Sequence, residues 1–215
     1  MAMTRRSFAL LAAAAARSVG ESFDIFRDHP RLFLTPARLR RLRRDRERLT
    51  RRWEQFAALV EGRAQFPEPG FAQALYFQIT GDEGAARAAV RFAEDTGDLR
   101  QAAIVYDWCQ PHSERLRPRL DAARGGIRPR DAAGVRSGAL AAVAAGDSAA
   151  LERTVREWWR GGIAPALNSG TEAIRRGELY PLFELMHALR DNTGIDLRES
   201  AVSFFEQLPY AQLLS

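Results

Sequence analysis

Residues 74–90 read ALYFQITGDEGAARAAV and residues 139–155 read ALAAVAAGDSAALERTV, two stretches that align on a Gly-Asp pair without a gap. Each places Ala-Leu seven and six residues before the glycine and an alanine-rich run after the aspartate. Glycine lacks a Cβ and accepts the left-handed conformation that closes a helix. Aspartate at the next position can take the free N–H groups of a following helix and favours its positive end. A looser third copy, HALRDNTGIDLRESAVSFF at residues 187–205, turns between Gly194 and Asp196. Helix, Gly-Asp corner, helix is the pattern of αα-hairpins in series, each burying an apolar face against the next.

Helical signals fill the chain outward from these corners. Thr35 is placed to cap a helix that Pro36 opens, and Leu39, Leu42, Leu49, Trp53, Phe56 and Val60 recur at helical spacing up to Gly62. LRQAAIVYDWCQ (99–110) predicts a helix stopped by Pro111, with Ser113 as cap of the next one through Ala123. TVREWWRGGIAPAL (154–167) predicts a helix broken at Gly161-Gly162, and LYPLFELMHALRDNTG (179–194) predicts another. No run alternates apolar and polar residues, so the expected fold is all-α with roughly ten helices. The three corners are 65 and then 48 residues apart. A strict repeat of roughly 34 residues, as in a tetratricopeptide solenoid, is therefore absent, and uneven hairpins suit an incomplete α/α toroid better.

The 215-residue chain is 46% hydrophobic and 27% charged, enough to build a core and too apolar for wholesale disorder. Its 32 basic residues are all arginine, and the net charge of +5 favours an acidic partner: a uronic-acid polysaccharide, a nucleic acid or an anionic membrane. Cys109 is the only cysteine, which rules out an intrachain disulfide and a cysteine-based zinc site. The first residues, MAMTRRSFALLAAAAARSVGES, pair Arg5 and Arg6 ahead of Phe8 and a short apolar run to Ala16. That run is too short to span a bilayer, and the pattern fits a twin-arginine export signal. Residues 1–20 are read as the signal, residues 21–215 as one helical domain, and the destination as periplasmic or secreted. No later segment is apolar and long enough to be a transmembrane helix, and export argues against a nucleic-acid partner. The arginines between Arg38 and Arg52 read either as a solvated helix face or as a surface for an anionic partner.

Four blocks resemble the helical half of the heparinase II/III and alginate-lyase type polysaccharide lyases: HPRLFLTPARLRRLR (29–43), FAQALYFQITGDEGAARAAV (71–90), AAIVYDWCQPHSERLRPRL (102–120) and GELYPLFELMHALRDNTGIDL (177–197). The resemblance implies an α/α toroid, followed in the family by a β-domain, and β-elimination across uronic-acid linkages. In that chemistry a donor neutralises the substrate carboxylate, a tyrosine or histidine removes the C5 proton, and tyrosine protonates the leaving oxygen. Tyr180 falls in the tyrosine-bearing block, which makes it the candidate catalytic residue; the alternative is a helix-start aromatic packed on the core. Where many members carry an Asn-His pair, this chain has Asp131, Ala132 and Ala133.

Arg128, Arg130 and Arg136 are candidates for pairing with a substrate carboxylate, or else solvated charges. Trp108 is a candidate sugar-stacking residue, or else core, as are Trp158 and Trp159. Asp107 reads as a buried hydrogen-bond acceptor. His29, His112 and His187 have no metal-ligand spacing, and the sequence offers no cofactor site. Two functional expectations remain open: a lyase module, and a non-catalytic carbohydrate-binding or scaffold module of the same type.

Overall fold

The computed structural model describes residues 22–126 and 131–214. The proposed signal at residues 1–20 lies outside them. Every regular element among the described residues is a helix: α1 Pro36–Glu47, α2 Arg51–Glu61, α3 Pro69–Thr80, α4 Glu83–Asp95, α5 Leu99–Trp108, α6 Arg117–Gly126, α7 Ala132–Ala145, α8 Ser148–Arg153, a π-helix Thr154–Ile163, α9 Ala164–Asn168, α10 Leu179–Thr193 and α11 Val202–Leu214. The fold is all-α, and no described helix is long and apolar enough to cross a membrane.

The Gly-Asp corners form as read. Gly81 and Gly146 close α3 and α7 at φ of 79° and 75°. Asp82 Oδ1 then accepts the N–H groups of Gly84 (2.7 Å) and Ala85 (3.2 Å), and Asp147 accepts that of Ala150 (3.0 Å). Gly194 closes α10 in the same way, but Asp196 opens only a short 3-10 turn, Leu197–Ser200. Thr35 caps α1 and Pro36 begins it.

Ser113 does not cap the following helix: its hydroxyl donates to the Tyr106 carbonyl at 2.6 Å, and a 3-10 turn, Glu114–Leu116, precedes α6. Two expected boundaries also differ. The single long helix from Pro36 to Gly62 is two helices, because the chain bends at Leu49 (φ 49°) and Thr50 recaps it at the Trp53 N–H. Gly161-Gly162 does not break its helix. There the chain winds into a wider π-helix, where a Cβ at Gly161 would stand 3.2 Å from the Arg156 carbonyl, so glycine lets the wide turns close.

The hairpins stack into two layers. Helices α3, α5, α7 and α10 pack side by side in that order, and α4, α6 and α8 return along the outside. Small residues make the inner layer tight: Ala102, Ala103, Ala139, Ala141, Ala142 and Ala144 are all buried. Helix α5 is enclosed on every face, with each residue from Arg100 to Trp108 buried.

A strap, residues 29–34, crosses the C-terminal ends of the inner helices. Asp107, fully buried near the end of α5, takes the N–H of Arg31 (2.8 and 3.0 Å) and of Leu32 (2.7 Å), and lies 2.6 Å from His29 Nδ1. Its expected role as a buried acceptor is what the structure shows. The Trp108 indole donates to the Leu32 carbonyl at 2.8 Å. Arg31 reaches the last carbonyls of α7, at Val143 (3.3 Å) and Ala144 (3.0 Å), and Asn192 of α10 donates to the Arg31 carbonyl at 3.1 Å.

Replacing Asp107 with alanine strands two buried N–H groups and frees the strap. The expected cost is roughly 3 kcal/mol in a denaturant titration, with new tryptic cuts at Arg27 and Arg31. A variant as stable and as protease-resistant as the parent would show that Asp107 does not hold the strap.

Candidate functional site

The opposite, N-terminal ends of the inner helices carry a cluster of charge. Arg100 enters from the first turn of the enclosed helix α5, where its guanidinium is mostly buried. It meets Glu184 of α10 through Nε, 2.9 Å from each carboxylate oxygen, and Glu68 at the start of α3 through Nη1 at 2.5 Å. Arg136, from α7, holds the second oxygen of Glu184. One carboxylate thus joins three inner helices. Tyr180 stands one turn before Glu184 on α10 and points its hydroxyl at the same group, 3.4 Å from Oε1. Its ring is open to solvent, with the residue 65% exposed.

Burial works to raise the Glu184 carboxyl's pKa, but hydrogen bonds and charge from Arg100 and Arg136 outweigh it and hold the group below its ordinary value. Burial likewise works to lower the Arg100 pKa, and its two glutamates outweigh that and raise it. Both groups are therefore charged at neutral pH, and two cations face two anions. What the cluster presents outward is a tyrosine beside an ionised, arginine-clamped carboxylate. Among the described residues no group of three or more His, Cys, Asp or Glu is placed to hold a metal ion.

Of the residues singled out from sequence, Tyr180 and Arg136 come together here, both through Glu184. Arg136 is mostly buried in its ion pair, so it is not a free carboxylate receptor. Trp108 is corrected outright as a stacking platform: it lies near the other end of the inner layer, 2% exposed, packed on Phe71 at 5.1 Å and bonded to the strap. Trp159 is also core, its indole donating to the Leu197 carbonyl at 2.9 Å, and Trp158 is half-buried beside it. Arg128 and Arg130 lie outside the described residues. His29 pairs with Asp107, His112 packs edge-on to Phe77, and His187 is exposed beside Arg190.

Sequence reading passed over Glu68, Arg100 and Glu184. A signal for two of them was present. Arg100 is a lone cation in a run apolar enough to be buried whole, so it requires a buried acid, and Glu184 sits one helical turn from Tyr180.

Glu184→Gln leaves Arg100 and Arg136 without their shared anion, at an expected cost of roughly 3 kcal/mol at neutral pH. Because the folded-state pKa of Glu184 is depressed, its contribution is complete above the unfolded value and fades as pH falls through the folded one. Unfolding curves of the two proteins should therefore differ most at pH 7 and converge in acid. A gap independent of pH would remove Glu184 from the acid response. No protein-family model, no curated protein and no solved structure matches this chain.

Proposed function

We propose that this chain is a helical module of the polysaccharide-lyase type, an incomplete α/α toroid from an exported protein, that holds an acidic polysaccharide against Tyr180 without cleaving it. The observation that carries this reading is the internal neutralisation of the cluster: Arg136, placed by sequence as a carboxylate receptor, is already bound by Glu184. Elimination needs the uronate carboxyl neutralised before the neighbouring proton becomes acidic enough to leave. Tyr180 next to an ionised carboxylate does not supply that. An exposed phenol ring at the end of a rigid layer does supply an apolar face for a pyranose ring and a hydroxyl for its oxygens. The lyase resemblance in four ordered blocks supports an acidic sugar as the ligand.

The competing reading, elimination with Tyr180 as base, has one observation in its favour. The hydroxyl sits 3.4 Å from a carboxylate that can polarise it. Incubation with alginate and heparan sulfate separates the two. Binding without growth of ultraviolet-absorbing unsaturated ends is expected, and Tyr180→Ala should weaken it roughly fivefold, the equivalent of about 1 kcal/mol. Unsaturated ends that disappear in Tyr180→Phe would establish elimination instead. Absence of both binding and cleavage would refute the acidic-glycan reading.

A further inference from the structure

The charge of this protein is concentrated in one hairpin. Residues 38–52 hold nine arginines against Asp45 and Glu47, a net +7, so on a chain of +5 the other 200 residues together carry −2. Three of the nine serve the fold. Arg38 pairs with Asp191, while Arg43 and Arg46 donate to the Gln78, Ile79 and Thr80 carbonyls that end α3. Five of the other six have no internal partner among the described residues. Arg40, Arg41, Arg44, Arg48 and Arg51 are exposed without a side-chain partner among the described residues, and Arg52 comes only within 4.0 Å of Asp45. Helix α1 buries none of its residues, and apart from Pro36, Ala37 and Glu47 its exposed residues are all arginines.

At the centre of this field stands a leucine. Leu49 forms the bend between α1 and α2, 64% exposed, with Arg48 before it and Arg51 and Arg52 just after. Its backbone is in the left-handed region (φ 49°), which a branched apolar residue rarely adopts and which glycine or asparagine would take at lower cost. It rims an open concavity with Arg43, Arg46, Trp53 and a single acid, Glu47, and the Trp53 ring is itself stacked on Tyr76 at 5.8 Å. A dissolved polyanion would use the arginines and gain little from the leucine. A lipid surface uses both: guanidinium groups pair with headgroup phosphates while a protruding apolar side chain enters the boundary of headgroup and acyl chain.

We propose that the α1–α2 bend is a docking site for an anionic lipid surface, with Leu49 inserted and Arg40, Arg41, Arg44, Arg48, Arg51 and Arg52 on the phosphates. The site is independent of the sugar reading at Tyr180.

The test is co-sedimentation of the full chain with vesicles of phosphatidylcholine mixed with phosphatidylglycerol and with vesicles of phosphatidylcholine alone. Binding to the first only, declining with added salt, is expected. Leu49→Ser, at an exposed position and unchanged charge, should weaken it about tenfold. Arg44→Gln and Arg48→Gln should each weaken it roughly fivefold. Circular dichroism confirms that each variant is folded, and the Tyr180-dependent glycan binding should be unchanged in all three. Equal binding to both vesicle types, or to neither, overturns the proposal. So does a Leu49→Ser variant that binds as well as the parent while dissolved alginate or DNA strips the protein from the vesicles. That last result would assign the hairpin to a soluble polyanion.

Discussion

Helix α5 is enclosed on every side, yet it carries an arginine in its first turn and an aspartate in its last. Both charges stand at the wrong poles. The N-terminal end of a helix favours anions and the C-terminal end cations, so Arg100 and Asp107 each oppose the helix dipole as well as lying out of water. Neither is tolerable without dedicated partners, and the partners each one recruits organise an end of the molecule. Glu68 and Glu184 come to Arg100 from α3 and α10, and Arg136 follows to share Glu184. The strap comes to Asp107. The alanine-rich flanks between these ends allow close approach but specify no register. The charged ends do.

The inner helices also run in one direction, since their starts meet at Glu184 and their ends meet under the strap. Parallel neighbours repel through aligned dipoles, and this protein answers with charge at each pole. Carbonyl-rich ends face Arg31, Arg43 and Arg46. At the N–H-rich ends Glu68 and Glu184 offset the two arginines, Arg100 and Arg136, that stand there. Part of the arginine content that reads in sequence as an undivided basic run is therefore structural, with Arg43 and Arg46 capping a helix 33 to 35 residues away in chain. The remainder, on the outer face of α1, has no such task.

The legible parts of this fold were local ones. Gly81-Asp82 and Gly146-Asp147 could be read because a left-handed glycine followed by a side-chain cap is completed within four residues. Thr35-Pro36 was legible for the same reason. The split at Leu49 was not, because a leucine with positive φ has no sequence signature and the apolar spacing continues across it. Gly161-Gly162 misled because glycine usually ends a helix, and here it relieves a wide one. Trp108 misled because an aromatic at the end of a helix suits a sugar face and a core equally well; the strap covering it is 76 residues away in sequence. The charge cluster was half legible: Tyr180 and Arg136 were picked separately, but Glu184, which joins them, is unremarkable in a helix of mixed polarity. Long-range pairing is invisible to a local reading.

The two outward-facing features sit at opposite poles of the inner layer. Tyr180 lies where α3, α5, α7 and α10 begin, and the arginine hairpin lies where α3 ends, held there by Arg43 and Arg46. A helix the length of α10 spans roughly 22 Å, so a ligand at one pole does not compete sterically with a partner at the other. Arg43 and Arg46 fasten the hairpin to the last carbonyls of α3, so its outer arginines and Tyr180 stand at a fixed separation along the layer. The ion pairs that gather the starts of the parallel helices, and the strap that ties down the ends of α5, α7 and α10, thus set the relation between the two surfaces without any contact between them.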